Sequence, residues 1–158
     1  MHKINRGYEF VLYPDAEQKI FFAKSFGCVR FIWNKMLDAK KTHYQEYKET
    51  LKVTPATFKE EFPFLKEVDS LALANVQLNL ESAYRRFFKK DSGFPKFKSK
   101  KNDRNTYTTN NQKGTIAVLK TDKGSYIKLP KVGLVKFNAH RELPENSVIK
   151  SATVKQSK

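Results

Sequence analysis

Hydrophobic and polar positions change period twice along the chain. Tyr8 to Tyr13, YEFVLY, alternates aromatic or apolar side chains with others and ends at Pro14, which predicts a short strand. From Asp15 the spacing is helical. Asp15 and Gln18 have the form of a capping box, Ile20, Phe21, Ala23 and Phe26 follow, and Gly27 predicts a stop. A second, longer helix is expected from Cys28, its stripe running through Phe31, Ile32, Met36 and Ala39, with His43 and Tyr47 on the same face. A short helix, one glycine able to turn left-handed and a long helix predict a helix-turn-helix corner at Gly27. Thr54-Pro55 predicts the start of a brief third helix carrying Phe58, interrupted by the FPF run from Phe62 to Phe64. Asp69 is the expected N-cap of a last long helix, in which Leu73, Val76, Leu80, Tyr84 and Phe87 recur at three- and four-residue steps before Gly93 closes it.

After Thr115 the chain is rich in β-branched residues and turn formers. TIAVL, Thr121-Asp122-Lys123-Gly124 and SYIKL predict a hairpin, and KVGLVKF and SVIKSATVK supply two more strands. A lone N-terminal strand makes no sheet, so Tyr8–Tyr13 is expected to pair with the late strands, leaving the helices as an insertion in a small β-barrel. The fold class is α+β. No internal repeat is visible.

Charge then narrows the partners. The 158 residues carry 31 Lys and Arg against 16 Asp and Glu, a formal net charge of +15, and such a surface repels itself unless a polyanion shares it. Nucleic acid is the usual partner and an acidic membrane surface the second. No apolar run reaches membrane-spanning length and MHKINRGYEFVLYP lacks a signal peptide's hydrophobic segment, so a soluble intracellular protein is expected. The one cysteine, Cys28, can form neither an internal disulfide nor a Cys-based zinc site and reads as a buried small hydrophobe. His2, His43 and His140 are too scattered in sequence to suggest a metal site. Two-metal phosphoryl chemistry needs carboxylates converging from several elements, whereas Asp15 and Asp69 read as caps and Glu46, Glu49, Glu60 and Glu61 as surface charges. With no nucleophile-elbow pattern and no Gly-rich phosphate loop, the isolated chain is not expected to be an enzyme.

The candidate contacts concentrate in Phe87 to Arg104, FFKKDSGFPKFKSKKNDR, where cations alternate with phenylalanines and Gly93 and Pro95 forbid one regular helix. Cations meet phosphates and aromatic faces stack on bases. Arg85, Arg86, Lys89 and Lys90 end the last long helix, either as phosphate contacts or as a solvated terminus favoured by the dipole. Lys96, Lys98, Lys100, Lys101 and Arg104 form an extended basic track. Phe94 and Phe97 either stack on bases or anchor the connection to the helices. Tyr107-Thr108-Thr109-Asn110-Asn111 is uncharged and rich in hydrogen-bonding side chains that can read base edges, or Thr108 to Asn111 is an ordinary turn. Arg30, Asn34 and Lys35 lie on or beside the second helix, and Trp33 is expected in the core.

These blocks resemble the TnpB-type (OrfB) proteins of bacterial insertion sequences, relatives of the type V CRISPR effectors. The resemblance rests on Tyr8 to Pro14 with Gln18, on Gly27 to Asn34, and on Phe64 to Ser70 with Ala72-Leu73. It continues through Leu80, Ala83-Tyr84, Phe87-Phe88, Gly93 to Lys101, Tyr107 to Asn111, Leu129 to Gly133 and Ile149 to Ser151. It implies a wedge-type β-barrel from residues 1–14 and 112–158, a helical recognition domain over 15–92 containing the helix-turn-helix, and a basic-aromatic connection over 93–111. Family members are RNA-guided DNA endonucleases that bind a transposon-encoded guide RNA and read a short duplex motif beside the target. The resemblance nominates Ser70 and Thr109 for that motif, with Ala74 one turn on lacking a hydrogen-bonding side chain, so the motif preference does not carry over. The family's nuclease half, with three metal-binding carboxylates and a four-cysteine zinc ribbon, is expected to lie beyond these residues, leaving no cofactor in this chain. Guide RNA and duplex DNA are the expected partners, no membrane is expected, and the expected location is the bacterial cytoplasm at the nucleoid. The sequence leaves the oligomeric state open. Two other readings stay open, a non-catalytic helix-turn-helix DNA-binding regulator or transposase accessory protein, and a decayed inactive remnant.

Overall fold

The structure is a computed structural model that describes residues 4–101 and 104–157; His2 and Lys158 lie outside them. It opens with β1 (Leu12–Tyr13) and α1 (Ala16–Tyr47), a single helix of 32 residues. The expected capping box is present at its start. The Gln18 N–H donates to Asp15 Oδ1 at 2.8 Å and the Asp15 N–H donates to Gln18 Oε1 at 3.0 Å. At its end Lys48 turns left-handed, with φ of 57°.

The corner expected at Gly27 does not form, because α1 runs straight through it. The reason lies in its neighbours. Phe22, Ser25, Phe26, Cys28, Ile32, Trp33, Met36, Leu37 and Lys40 are all buried, so the inward stripe crosses Gly27 without a change of phase. A glycine inside a helix costs about 0.5–1 kcal/mol. Burying one large apolar side chain returns about 1.5–3 kcal/mol, so continuity wins.

Beyond α1 come α2 (Ala56–Lys59), a 3-10 turn (Pro63–Glu67) and α3 (Ser70–Phe88). Asp69 caps α3 by accepting the Leu71 N–H at 3.0 Å. The helix ends at Phe88, earlier than Gly93, and Lys90 takes a φ of 64°.

The β strands are β2 (Thr106–Asn110), β3 (Ala117–Thr121), β4 (Gly124–Leu129), β5 (Gly133–Phe137) and β6 (Ser151–Lys155). The hairpin is as expected, β3 and β4 closing at Thr121 opposite Gly124. β1 does pair with a late strand, Leu12 opposite Phe137. Two antiparallel sheets result, β1-β5-β4-β3 and β2-β6. Among the described residues they do not close into a barrel, so the architecture is α+β with two open sheets. β2 occupies the stretch whose alternative reading was a turn.

Two hydrophobic cores meet along α1. One joins Ile32, Met36 and Leu37 to Leu65, Val68, Leu73 and Leu80. The other joins Phe22 and Phe26 to Ala72, Tyr107, Ile116, Leu129, Val135 and Val154. Cys28 sits in the first, and burial followed by the charge of Glu67 pushes its thiol above the ordinary value, as suits a buried hydrophobe.

Candidate nucleic-acid interface

The start of α3 is fixed to β2 by one carboxylate. Asp69 caps the helix with one oxygen, and the Thr109 hydroxyl donates to the other. Thr109 is 0% exposed and Tyr107 4% exposed, because alternate residues of β2 point at α1 and α3. Both were expected nucleic-acid contacts; Thr109 is closed off from solvent, and Tyr107 keeps only a sliver of surface. Thr109 is a β-branched polar residue used as a strand's inward face, and Tyr107 packs its ring against Phe22 and Phe26. Burial, with the Asp69 charge adding, holds the Tyr107 phenol well above its usual range.

Outward residues beside them remain available. Ser70 and Ala74 are exposed on the first turns of α3. The Asn75 amide donates to Leu71 O at 3.1 Å and to Thr108 O at 2.8 Å, tying helix to strand. The Thr108 and Thr153 hydroxyls lie 2.8 Å apart across the β2-β6 pair. Asn110 Nδ2 approaches Asn75 Oδ1 at 3.5 Å.

A cleft of about 90 Å³ opens between α1, α3 and β2. Its floor includes Phe26, Trp33, Val76 and Tyr107, and its polar wall includes Asn75, Asn79, Thr106 and Thr108. Arg30, Lys98 and Arg104 bring cations to it. Arg30 is steered by Asn105, whose Oδ1 accepts from Nη1 at 2.9 Å.

The basic connection does not hang free. Trp33 Nε1 donates to Lys96 O at 2.8 Å. Asn34 pairs with the Lys98 backbone in both directions, Nδ2 donating to its O at 2.8 Å and Oδ1 accepting its N–H at 2.7 Å. Lys98 then lays its ammonium 4.3 Å from the Trp33 ring centroid. Asn34, expected as a nucleic-acid contact, therefore spends its amide positioning the segment. Lys96, Lys100, Lys101 and Arg104 are exposed. Among the described residues no ion pair holds any of them or Lys98.

The remaining candidates lie elsewhere. Lys35 sits 5.0 Å from the Phe62 ring centroid and 5.6 Å from that of Phe31. Arg85, Arg86, Lys89 and Lys90 are exposed at the far end of α3, roughly 22 Å or more from Ser70 at 1.5 Å per residue. Phe94 packs edge-on against Phe87 and Tyr84 at 5.2 and 5.5 Å, the anchoring alternative. Phe97 is exposed, with the Lys41 ammonium 5.9 Å from its ring centroid. The cleft thus unites Arg30, Lys98, Arg104 and Thr108. Asn75 and Asn79 were missed, although their four-residue spacing on α3 is the signal that could have found them.

Among the described residues no cluster of His, Cys, Asp and Glu is arranged to hold a metal ion, and no helix is long and apolar enough to cross a membrane.

The family model described as a helix-turn-helix domain, of the OrfB proteins of IS605 type, matches residues 1–49, the span that holds β1 and α1. The chain belongs to the TnpB-type OrfB family of insertion-sequence proteins. It is 32% identical over 111 residues to a protein of Streptomyces pristinaespiralis named as an RNA-guided DNA endonuclease, covering 66% of this chain and 28% of that one. It is 28% identical over 160 residues to the Escherichia coli K12 protein named as RNA-guided DNA endonuclease InsQ, covering 96% and 38%. It is 32% identical over 111 residues to virulence protein VsdF of Salmonella dublin, covering 60% and 93%. The chain therefore spans between a quarter and two fifths of the two endonuclease relatives.

Proposed function

We propose that this chain is the nucleic-acid-binding wedge-and-recognition region of a TnpB-like RNA-guided DNA endonuclease, binding guide RNA and target-adjacent duplex DNA without a catalytic site of its own. In this reading residues 1–14 and 112–158 form the wedge, 15–92 the recognition domain and 93–111 the connection. The observation that carries it is the cleft between α1, α3 and β2, where Arg30, Lys98 and Arg104 converge beside Asn75, Asn79 and Thr108. Cations there hold phosphates, while amides and hydroxyls meet base edges. Ser70, Thr108 and Asn110 stand at the same end of α3 and serve the adjacent duplex, and the exposed track of Lys96, Lys100 and Lys101 serves the RNA backbone. A free-standing helix-turn-helix regulator is the second reading: the family match over residues 1–49 favours it, while the unbroken α1 supplies no corner at Gly27.

The test is a salt titration of duplex DNA and RNA binding by fluorescence anisotropy. Affinity should fall steeply with salt, with a slope reduced by about 1 for each phosphate contact removed in Arg104→Gln or Lys100→Gln. A slope near zero for wild type would refute the proposal.

A further inference from the structure

Away from that cleft, at the opposite end of the helical layer, lies a second cavity of about 430 Å³ between the last turns of α1, the end of α3 and the connection. Five aromatic rings line it: Tyr44, Tyr84, Phe87, Phe88 and Phe94. Three of them remain open to solvent, Tyr44 at 50%, Phe88 at 60% and Phe94 at 39%. Rings that merely filled a core would be covered. The volume falls in the roughly 300–1,000 Å³ range of small-molecule sites.

Two further features define what fits. The Tyr84 hydroxyl is buried and finds no hydrogen-bond partner among the described residues, although such groups are nearly always paired. Lys40 and Lys41 line the cavity and, among the described residues, no carboxylate does. The Lys40 ammonium lies 5.5 Å from the Tyr84 ring centroid and donates to Leu51 O at 2.6 Å, while the Lys41 side chain is exposed at the rim. The occupant therefore presents a flat apolar face, a hydrogen-bonding edge and a negative charge nearby. A lipid tail lacks the edge, and an aromatic side chain of another protein lacks the charge.

We infer that this cavity is a stacking site for an unpaired nucleobase of single-stranded RNA, with Tyr84 addressing the base edge and Lys41 its phosphate. The inference rests on the nucleic-acid reading above and deepens it, by separating a single-strand site from the duplex-facing cleft. Stacking on these rings is tolerant of base identity, because every base has a π face.

The experiment uses the 158-residue chain and two probes of equal length, a single-stranded oligoribonucleotide containing 2-aminopurine and a fully paired DNA duplex. Wild type should quench the 2-aminopurine fluorescence on binding. Tyr44→Ala/Phe88→Ala, at two half-exposed positions that leave the fold intact, should abolish the quenching and raise Kd for the strand by about 5- to 150-fold. Duplex affinity should stay within about twofold of wild type. Tyr84→Phe, which keeps the ring, should weaken the strand by about 2- to 10-fold and preserve quenching. If wild type binds the duplex yet leaves 2-aminopurine unquenched, or if the double variant weakens both probes equally, the base site is wrong while the broader reading stands. Failure to bind either probe at low salt would overturn both.

Discussion

Replacing Gly27 by alanine separates an unbroken α1 from a helical corner by the sign of one number. In the continuous helix Gly27 does not need the left-handed region, and a methyl group built on it meets nothing within 4 Å. No steric cost opposes the substitution. Alanine then restrains the unfolded chain and favours helix, for a gain of about 0.5–1 kcal/mol. In a chain of this size about 1 kcal/mol moves Tm by about 2–4 °C, so Gly27→Ala should raise it by about 1–4 °C. At a left-handed corner the same methyl would cost about 1–2 kcal/mol and Tm would fall. Far-UV circular dichroism melts of the two proteins, checked against guanidinium denaturation with equal m-values, decide the matter. A lower Tm for Gly27→Ala would refute the continuous-helix account.

Asp69→Ala should cost about 2–4 kcal/mol, roughly 1 for the lost cap and 1–3 for the stranded Thr109 hydroxyl, measured by denaturant titration. Adding Thr109→Val should recover part of that loss, with a coupling of about 0.5–3 kcal/mol, and strictly additive losses would show that the pair does not interact. Tyr107, raised by burial and Asp69, is protonated in both folded and unfolded chains below pH about 10, so it leaves stability unchanged there. Above that pH the unfolded chain releases the proton and the folded one retains it, so stability should fall. An absorbance titration of the seven tyrosines should show the last ionising only as the fold is lost, and complete ionisation of an intact fold would contradict this.

What could be read in the chain was whatever depends on local chemistry and period. The Asp15/Gln18 box, the Asp69 cap, the Leu73-Val76-Leu80 stripe and the β3-β4 hairpin each follow from side chains within a few residues of one another. Gly27 misled because a propensity cost was weighed without the burial on both sides of it. β2 was hidden because its inward residues are Tyr107 and Thr109, and a threonine facing inward becomes intelligible only once Asp69, forty residues earlier, is seen opposite it. The candidate site was half legible. The cations announced themselves by composition, but only the folded chain reveals that Asn34 works on the backbone of Lys98 and that Asn75 and Asn79 join Arg30 in one cleft.

Tying Lys96 and Lys98 to Trp33 and Asn34 has a thermodynamic consequence. A floppy basic tail meeting a polyanion must surrender its conformational freedom at that moment, and the heat capacity of association records the ordering. Here the backbone at Lys96 and Lys98 is already anchored before any such encounter, so less of that freedom is left to lose. That anchoring rests on a single indole and a single carboxamide on α1.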